Sequence, residues 1–376
     1  MREILFVAGE ASGDLHAAGV ARELVSHGAP YRLTGIGGDQ MRAAGVELIE
    51  HTGNLAVMGF VEVLEYIPKH LALLRELKTR LKSGTVAAVV LIDYPDFNMM
   101  VASASAEIGV PVLYYITPQV WAWRMGRVAK LARTVTKAAV ILPFEEELLR
   151  KHGIDATFVG HPLLDRAETM PDRAQAREAL GLSPNDRVLA LFPGSRRQEV
   201  EHLLDAFVAV ARELERRVPG LKPVVAVAPR ITLDAARCPY PMVGSSSFTV
   251  LRAADAALCK SGTTTLEAAV AGCPLAVAYR VAPLNYFVGK ALVRIPHIAL
   301  VNVIAGREVV PEFVQDALQT KAVADTLQPL LNPESAERRT MIAGLDAVRA
   351  SLGEPGAAAR VADMALSLAG RDQHDR

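Results

Sequence analysis

Ala256-Ala257-Leu258-Cys259-Lys260-Ser261-Gly262-Thr263-Thr264-Thr265-Leu266-Glu267 reads as an apolar strand, a tight turn of small residues and the first turn of a helix. A helix start leaves about four backbone N–H groups unpaired and carries roughly half a positive charge. Only Gly262 and hydroxyl side chains stand in the way, so a phosphate can reach those amides. Ser261 or Thr263 would equally serve as an ordinary N-cap. Glu267 comes one turn into the helix, where a carboxylate can accept hydrogen bonds from a ribose diol. A second stretch, Leu191-Phe192-Pro193-Gly194-Ser195-Arg196-Arg197, repeats the pattern with two guanidiniums after a strand. A guanidinium there suits bidentate bonding to phosphate. Together the two turns predict a diphosphate clamp built from Gly194, Ser195, Arg196, Ser261, Gly262 and Thr263.

Outward from these turns, strand-like runs begin near residues 188, 223, 256 and 275, and an earlier set covers residues 4–8, 86–92, 112–116 and 138–142. Helical patterns separate them. Such alternation predicts open parallel sheets with crossover helices, and ligands in such sheets sit beyond the strands' carboxyl ends. The pattern breaks between Gly160 and Pro184, giving two Rossmann-like domains, 1–165 and 166–376, with C-terminal helices that can cross back onto the first. The 376 residues, 51% of them hydrophobic, supply two cores.

Lysine plus arginine equals aspartate plus glutamate, 41 of each, so net charge argues for no nucleic-acid partner. Mean hydropathy is high at +0.22, yet no uncharged run reaches the ~20 residues of a spanning helix. The N-terminus enters an apolar strand at once, without a signal-peptide pattern. Cys238, Cys259 and Cys273 are odd in number, lack metal-site spacing and read as core thiols of a reducing, cytoplasmic protein. With no Asp-x-Asp element in the second half and no His/Cys cluster, neither metal nor cofactor is expected.

In the first half, Gly9-Glu10-Ala11-Ser12-Gly13-Asp14 follows the first strand. Its glycine spacing fits neither a dinucleotide fingerprint nor a P-loop. Ser12, Gly13 and Asp14 instead allow close approach of a ligand. Asp93-Tyr94-Pro95-Asp96-Phe97-Asn98 follows another apolar strand and offers two carboxylates, a base and an orienting group. Asp96 is the expected base, drawing a proton from a hydroxyl whose oxygen attacks a sugar carbon from the face opposite a nucleotide leaving group. The bland alternative makes both aspartates caps. Trp121 and Trp123, in Val120-Trp121-Ala122-Trp123-Arg124, are core or interface residues or the wall of a substrate pocket. Phe60, Val63, Leu64, Ile67, Leu71 and Leu74, continuing to Leu77 and Leu81, recur at helical spacing among basic residues. They fit a crossover helix packed on the sheet or a surface dipping into a membrane interface, with Pro68 dividing the pattern into two helices.

These motifs, with Leu142-Pro143-Phe144-Glu145, Phe158-Val159-Gly160-His161-Pro162, Asn302 to Arg307 and Pro311-Glu312-Phe313-Val314-Gln315, resemble the lipid-A-disaccharide synthase family, glycosyltransferase family 19. They run in the family's order from residue 6 to about residue 315. The resemblance implies a GT-B fold of two Rossmann-like parallel-sheet domains facing a cleft. It implies transfer of 2,3-diacylglucosamine from its UDP derivative to the 6-hydroxyl of 2,3-diacylglucosamine 1-phosphate (lipid X), with inversion, giving a β-1,6 disaccharide and UDP. It assigns Asp96 as base and Arg196 to UDP, and puts Glu267 and Asn302 near the nucleotide or its sugar. Ser12, Gly13, Asp14, Asp93, Trp121 and Trp123 would line the acceptor side. It further implies peripheral contact with the inner-membrane surface through residues 60–81, and a homodimer that exchanges C-terminal elements. Tyr94, Thr117, Gln119 and Val301 depart from the residues the family commonly carries there, which touches acyl-chain fit.

Three other readings stay open at this point. A UDP-sugar 2-epimerase or a soluble N-acetylglucosaminyltransferase would share the fold, but the former needs no lipid acceptor. A nicotinamide-dependent oxidoreductase would need a glycine fingerprint that neither half supplies. A membrane-surface binding protein would not need two phosphate-type turns.

Overall fold

The computed structural model describes residues 1–55, 63–119, 125–228, 231, 233–234, 236–281 and 296–371, without side chains for 63–67, 125 and 371. Phe60, Trp121 and Trp123 lie outside the described residues, as do the side chains of Val63, Leu64 and Ile67.

The chain forms two compact units, Met1–Pro162 with Gly353–Arg376, and Leu163–Leu352. The first holds a parallel sheet of β1 (Glu3–Ala8), β2 (Arg32–Gly37), β3 (Glu47–His51), β4 (Val86–Ile92), β5 (Val112–Tyr115), β6 (Lys137–Val140) and β7 (Ala156–Phe158), in the order β3-β2-β1-β4-β5-β6-β7. Side chains alternate faces along a strand, and β1 shows the consequence. Leu5 and Val7 pack with Leu73, Leu77 and Leu81 of the helix Val63–Lys82 on one face. Ile4, Phe6 and Ala8 pack on the other with the helix Ala11–Ser26 and with Val361, Ala362, Ala365 and Leu368 of the C-terminal helix Ala357–Arg371. That last helix therefore buries its apolar face within its own chain's first unit. Near the crossing points Gly353 (φ 85°) stands against Gly160 (φ 81°). A Cβ at Gly353 would lie 3.2 Å from the Gly160 Cα, a tight approach that adds to the left-handed backbone in favouring glycine.

The helix Val63–Lys82 runs unbroken through Pro68 instead of dividing there; a proline near a helix start forfeits one amide donor, and packing of Leu73 and Leu77 holds the rest. Leu71 is exposed, but Leu74 packs against the core, which removes it from the expected membrane-facing set.

Glu3 opens β1 almost wholly buried. Its carboxylate accepts from Arg80 Nε (2.8 Å) and Nη2 (2.7 Å), Thr34 Oγ1 (3.0 Å) and Thr85 Oγ1 (3.1 Å). Burial would raise the carboxyl, but the Arg80 hydrogen bond, then Thr34, the Arg80 charge and Arg32, pull it down from 4.5 to about 2. A lowered folded-state value gives stability that is complete above the ordinary value and is lost as pH falls toward 2. Acid unfolding followed by circular dichroism should therefore be steeper over that window in the native protein than in Glu3→Gln; equal slopes would contradict the assignment.

The second unit holds a parallel sheet of β8 (Arg187–Phe192), β9 (Leu221–Ala226), β10 (Met242–Val243), β11 (Ala256–Lys260), β12 (Leu275–Tyr279) and β13 (Glu312–Val314), in the order β10-β9-β8-β11-β12-β13. Each sheet reverses its strand order once, between β1 and β4 and between β8 and β11. A reversal splays the loops at the strands' carboxyl ends and leaves a crevice there. Four of the loops that carry sequence motifs, those after β1, β4, β8 and β11, flank these two reversals.

Candidate active site

In the second unit the reversal opens into a pocket of about 590 Å³ lined by, among others, Arg166, Gly194, Ser195, Arg196, Glu199, Lys260, Gly262, Thr263 and Glu267. Gly262 has φ 157°, and from there the chain enters the helix Thr264–Ala271. The amides of Gly262, Thr263 and Thr264 have no partner among the described residues, whereas Thr265 and Leu266 already bond back to Gly262 and Thr263. These are the amides that the sequence reading offered to a phosphate. Arg196 is exposed at the pocket, and its guanidinium donates to none of the described residues. Arg197 does not line it, its Nε bonding Glu201 at 2.9 Å.

Glu267 is buried beside these amides, and its Oε1 accepts from Arg166 Nη1 at 3.3 Å. The guanidinium also lies 5.6 Å from the Phe248 ring centroid. Oε2 accepts no hydrogen bond from the described residues. The other turn is already occupied: Glu199 Oε2 accepts from the Ser195 (3.0 Å) and Arg196 (3.3 Å) amides, and its Oε1 lies 2.9 Å from Lys260 Nζ. A Cβ at Gly194 would come within 2.6 Å of the Glu199 Cβ, so the tight approach requires glycine. Gly194 and Ser195 line the pocket as expected of the clamp residues, but the Ser195 and Arg196 amides already donate to a carboxylate of the chain itself. Glu199 sits three residues after Arg196, the spacing at which an acid caps a helix start.

Two further residues act differently from expectation. Ser261 Oγ donates to the Ile298 carbonyl at 2.7 Å and is nearly buried. Asn302 is completely buried with every polar valence used. Its Nδ2 donates to Val310 O and Glu312 Oε1, both at 2.8 Å, and its Oδ1 accepts from Val309 N (2.7 Å) and Val310 N (3.0 Å). No atom is left for a nucleotide; Asn302 sets the loop that leads into β13. Asn302→Ala should cost about 3 kcal/mol by stranding buried amides, read as a lowered denaturation midpoint, and a neutral variant would contradict this.

In the first unit Asp93 (φ 48°) and Tyr94 (φ 49°) are consecutive left-handed residues between β4 and the helix Pro95–Ile108. Each costs about 1–2 kcal/mol relative to right-handed backbone, so the surroundings must impose the turn. They do: Asn98 Nδ2 donates to the carbonyls of Val7, Ile92 and Asp93, and Tyr114 Oη donates to Asp93 O. The Tyr94 ring lies over Gly9, where a Cβ would stand 2.2 Å from it. Tyr94 Oη is 2.5 Å from His70 Nε2. Strain held this firmly points to a site.

The two aspartates part company here. Asp96 is exposed, and its Oδ1 accepts from Arg127 Nη2 at 2.7 Å. Asp93 is half-buried. Burial first, then the charge of Glu10, raises its carboxyl above the usual range, against a hydrogen bond from the Tyr94 amide. Asp14 is corrected outright: its oxygens accept from the Gly38 (2.7 Å), Gln40 (3.1 Å) and Met41 (3.0 Å) amides and cap the helix Asp39–Ala43. Gly13 is buried against Ala8, and Ser12 is exposed.

The profile of the lipid-A-disaccharide synthetase family matches residues 4–355. The chain belongs to that family. A lipid-A-disaccharide synthase of Geobacter metallireducens is 41% identical over 377 residues, covering 98% of both chains; one from Anaeromyxobacter sp. strain K is 43% identical over 376 residues, covering 97% of both. Among solved structures, the calicheamicin glycosyltransferase CalG4 superposes with a TM-score of 0.62 at 19% identity over 99% of both chains. MurG of Acinetobacter baumannii gives 0.59 at 14% identity, over 97% of this chain and 99% of its own. The UDP-GlcNAc 2-epimerase of Neisseria meningitidis, bound to UDP-GlcNAc, gives 0.66 at 13% identity, over 97% and 100%. Transferases and epimerases share the GT-B-type fold, so fold alone does not separate the readings left open by the sequence; family membership does. The protein is a UDP-sugar-dependent glycosyltransferase of lipid A biosynthesis, with a UDP-sugar donor and a lipid acceptor. Among the described residues no helix is long and apolar enough to cross a membrane.

Proposed function

We propose that this family member moves 2,3-diacylglucosamine from UDP-2,3-diacylglucosamine to the 6-hydroxyl of lipid X, with inversion. The observation that carries the donor half is the pocket at the β8/β11 reversal, with its unpaired Gly262–Thr264 amides and unpartnered Arg196. The diphosphate rests on these donors, and Glu267 Oε2 takes the ribose diol. Fixed donors aimed at a leaving group's developing charge are an effective catalytic device.

The base is Asp93, in place of the Asp96 expected from sequence. A useful base has a raised affinity for the proton and open lone pairs; Asp93 has the first through burial and Glu10, while Arg127 engages Asp96. Asp93 takes the proton of the acceptor 6-hydroxyl as that oxygen bonds the anomeric carbon. The bond from that carbon to the UDP oxygen breaks, and UDP leaves with the electron pair. Asp96 and Arg127 then orient the acceptor phosphate or sugar.

Incubating the purified protein with UDP-2,3-diacylglucosamine and lipid X tests this: disaccharide and UDP should form in equal amounts. UDP binding without disaccharide would overturn the acceptor assignment. Contact with the inner-membrane face through Phe60, Val63 and Leu64 belongs to the same reading, since both substrates carry acyl chains. Changing the three to Ser should reduce co-flotation with anionic vesicles at unchanged melting temperature; undiminished flotation would place the contact elsewhere. Exchange of C-terminal elements in a dimer is not required to cover the Ala357–Arg371 helix, which is packed within the chain.

A further inference from the structure

Lys260 ends β11 inside the donor pocket, and neither the sequence motifs nor the mechanism above gives it a part. Its Nζ is 2.9 Å from Glu199 Oε1, with both side chains largely buried. A Cβ on Gly262 would come to 3.5 Å from the same Nζ. The ammonium thus stands between the two turns, fixed from the Glu199 side and lying over the Gly262 turn. An ammonium has three donors. One reaches Glu199, and the other two have no partner among the described residues.

We propose that Lys260 is a second cationic contact for the donor's diphosphate, placed by Glu199, alongside Arg196. The assignment rests on the reading of this pocket as the UDP site. Glu199 earns its position by two roles at once: its Oε2 holds the Ser195 and Arg196 amides, which sets where Arg196 starts, and its Oε1 stops the flexible lysine from swinging into solvent. Burial acts to raise the Glu199 carboxyl, but Lys260 and the two amides outweigh it and hold it below the usual carboxylate value. The bland alternative makes the pair a strut between β11 and the helix Arg197–Arg217. A strut would use one ammonium donor and would give no reason for the pair to line the pocket.

The two are separated by a ligand with and without phosphates. Calorimetric titration of the native protein and of Lys260→Met with UDP and with uridine reads the phosphate contribution as a ratio of affinities. Loss of a charge-assisted contact should weaken UDP binding about tenfold or more and leave uridine binding within about twofold. Retained uridine binding also reports that the variant is folded, and Lys260→Gln serves as a second variant. Equal weakening of both ligands, or of neither, would overturn the proposal. A native protein that binds UDP no more tightly than uridine would overturn the pocket reading itself, an outcome distinct from the other two.

Discussion

Asp93→Asn should lower kcat by about 10²- to 10⁴-fold, the span that a positioned general base contributes, and leave UDP affinity unchanged. Asparagine keeps the side-chain shape but cannot take a proton. The left-handed backbone at Asp93 is one that asparagine tolerates well, so the turn held by Asn98 and Tyr114 survives the change. The comparison with Asp96→Asn is the informative one. Asp96 is exposed and bonded to Arg127; its loss should raise KM more than it lowers kcat. If Asp96→Asn abolishes turnover and Asp93→Asn does not, the base assignment reverts to the expectation from sequence. Steady-state kinetics with both lipid substrates decides between them.

Arg196→Ala should cost roughly 10²- to 10³-fold in kcat, the typical price of one fixed donor to developing negative charge, and should weaken UDP binding as well. The guanidinium has no competing partner among the described residues, so its whole donor set is available to phosphate. Because Glu199 binds the backbone amide of residue 196 and not the side chain, the alanine variant keeps the turn and the helix Arg197–Arg217. The effect is then one of charge and not of folding. A variant with native UDP affinity and rate would remove Arg196 from the site.

The strands that lead into the reversals, such as 86–92 and 256–259, were legible because they are continuous apolar runs suited to a parallel sheet covered on two faces; the strand order that makes the reversals was not. Strand β2, Arg32-Leu33-Thr34-Gly35-Ile36-Gly37, carries no such run. A Cβ at Gly35 would stand 2.2 Å from the Phe6 carbonyl, so packing demands a residue that weakens the local strand signal. β3 and β13 are half-exposed edges with charges at their ends. The site residues divide in the same way. Gly262 and Arg196 declare themselves by turn chemistry within a few positions. The Arg166–Glu267 contact spans 101 positions, and the closure of Asn302 on Val309, Val310 and Glu312 is a tertiary fact. A buried asparagine that caps a loop and one that reads a nucleotide look alike in a sequence. So do Asp93 and Asp96 until burial, Glu10 and Arg127 tell them apart.

The acid limb of the kcat/KM profile, which reports the free enzyme's essential base, tests the account most directly when measured in the native protein and in Glu10→Gln. The Glu10 charge raises the Asp93 carboxyl. Removing a like charge lowers a carboxyl's proton affinity, so the limb should move to lower pH in Glu10→Gln while the plateau rate is kept. A limb that stays in place would contradict Asp93 as the base.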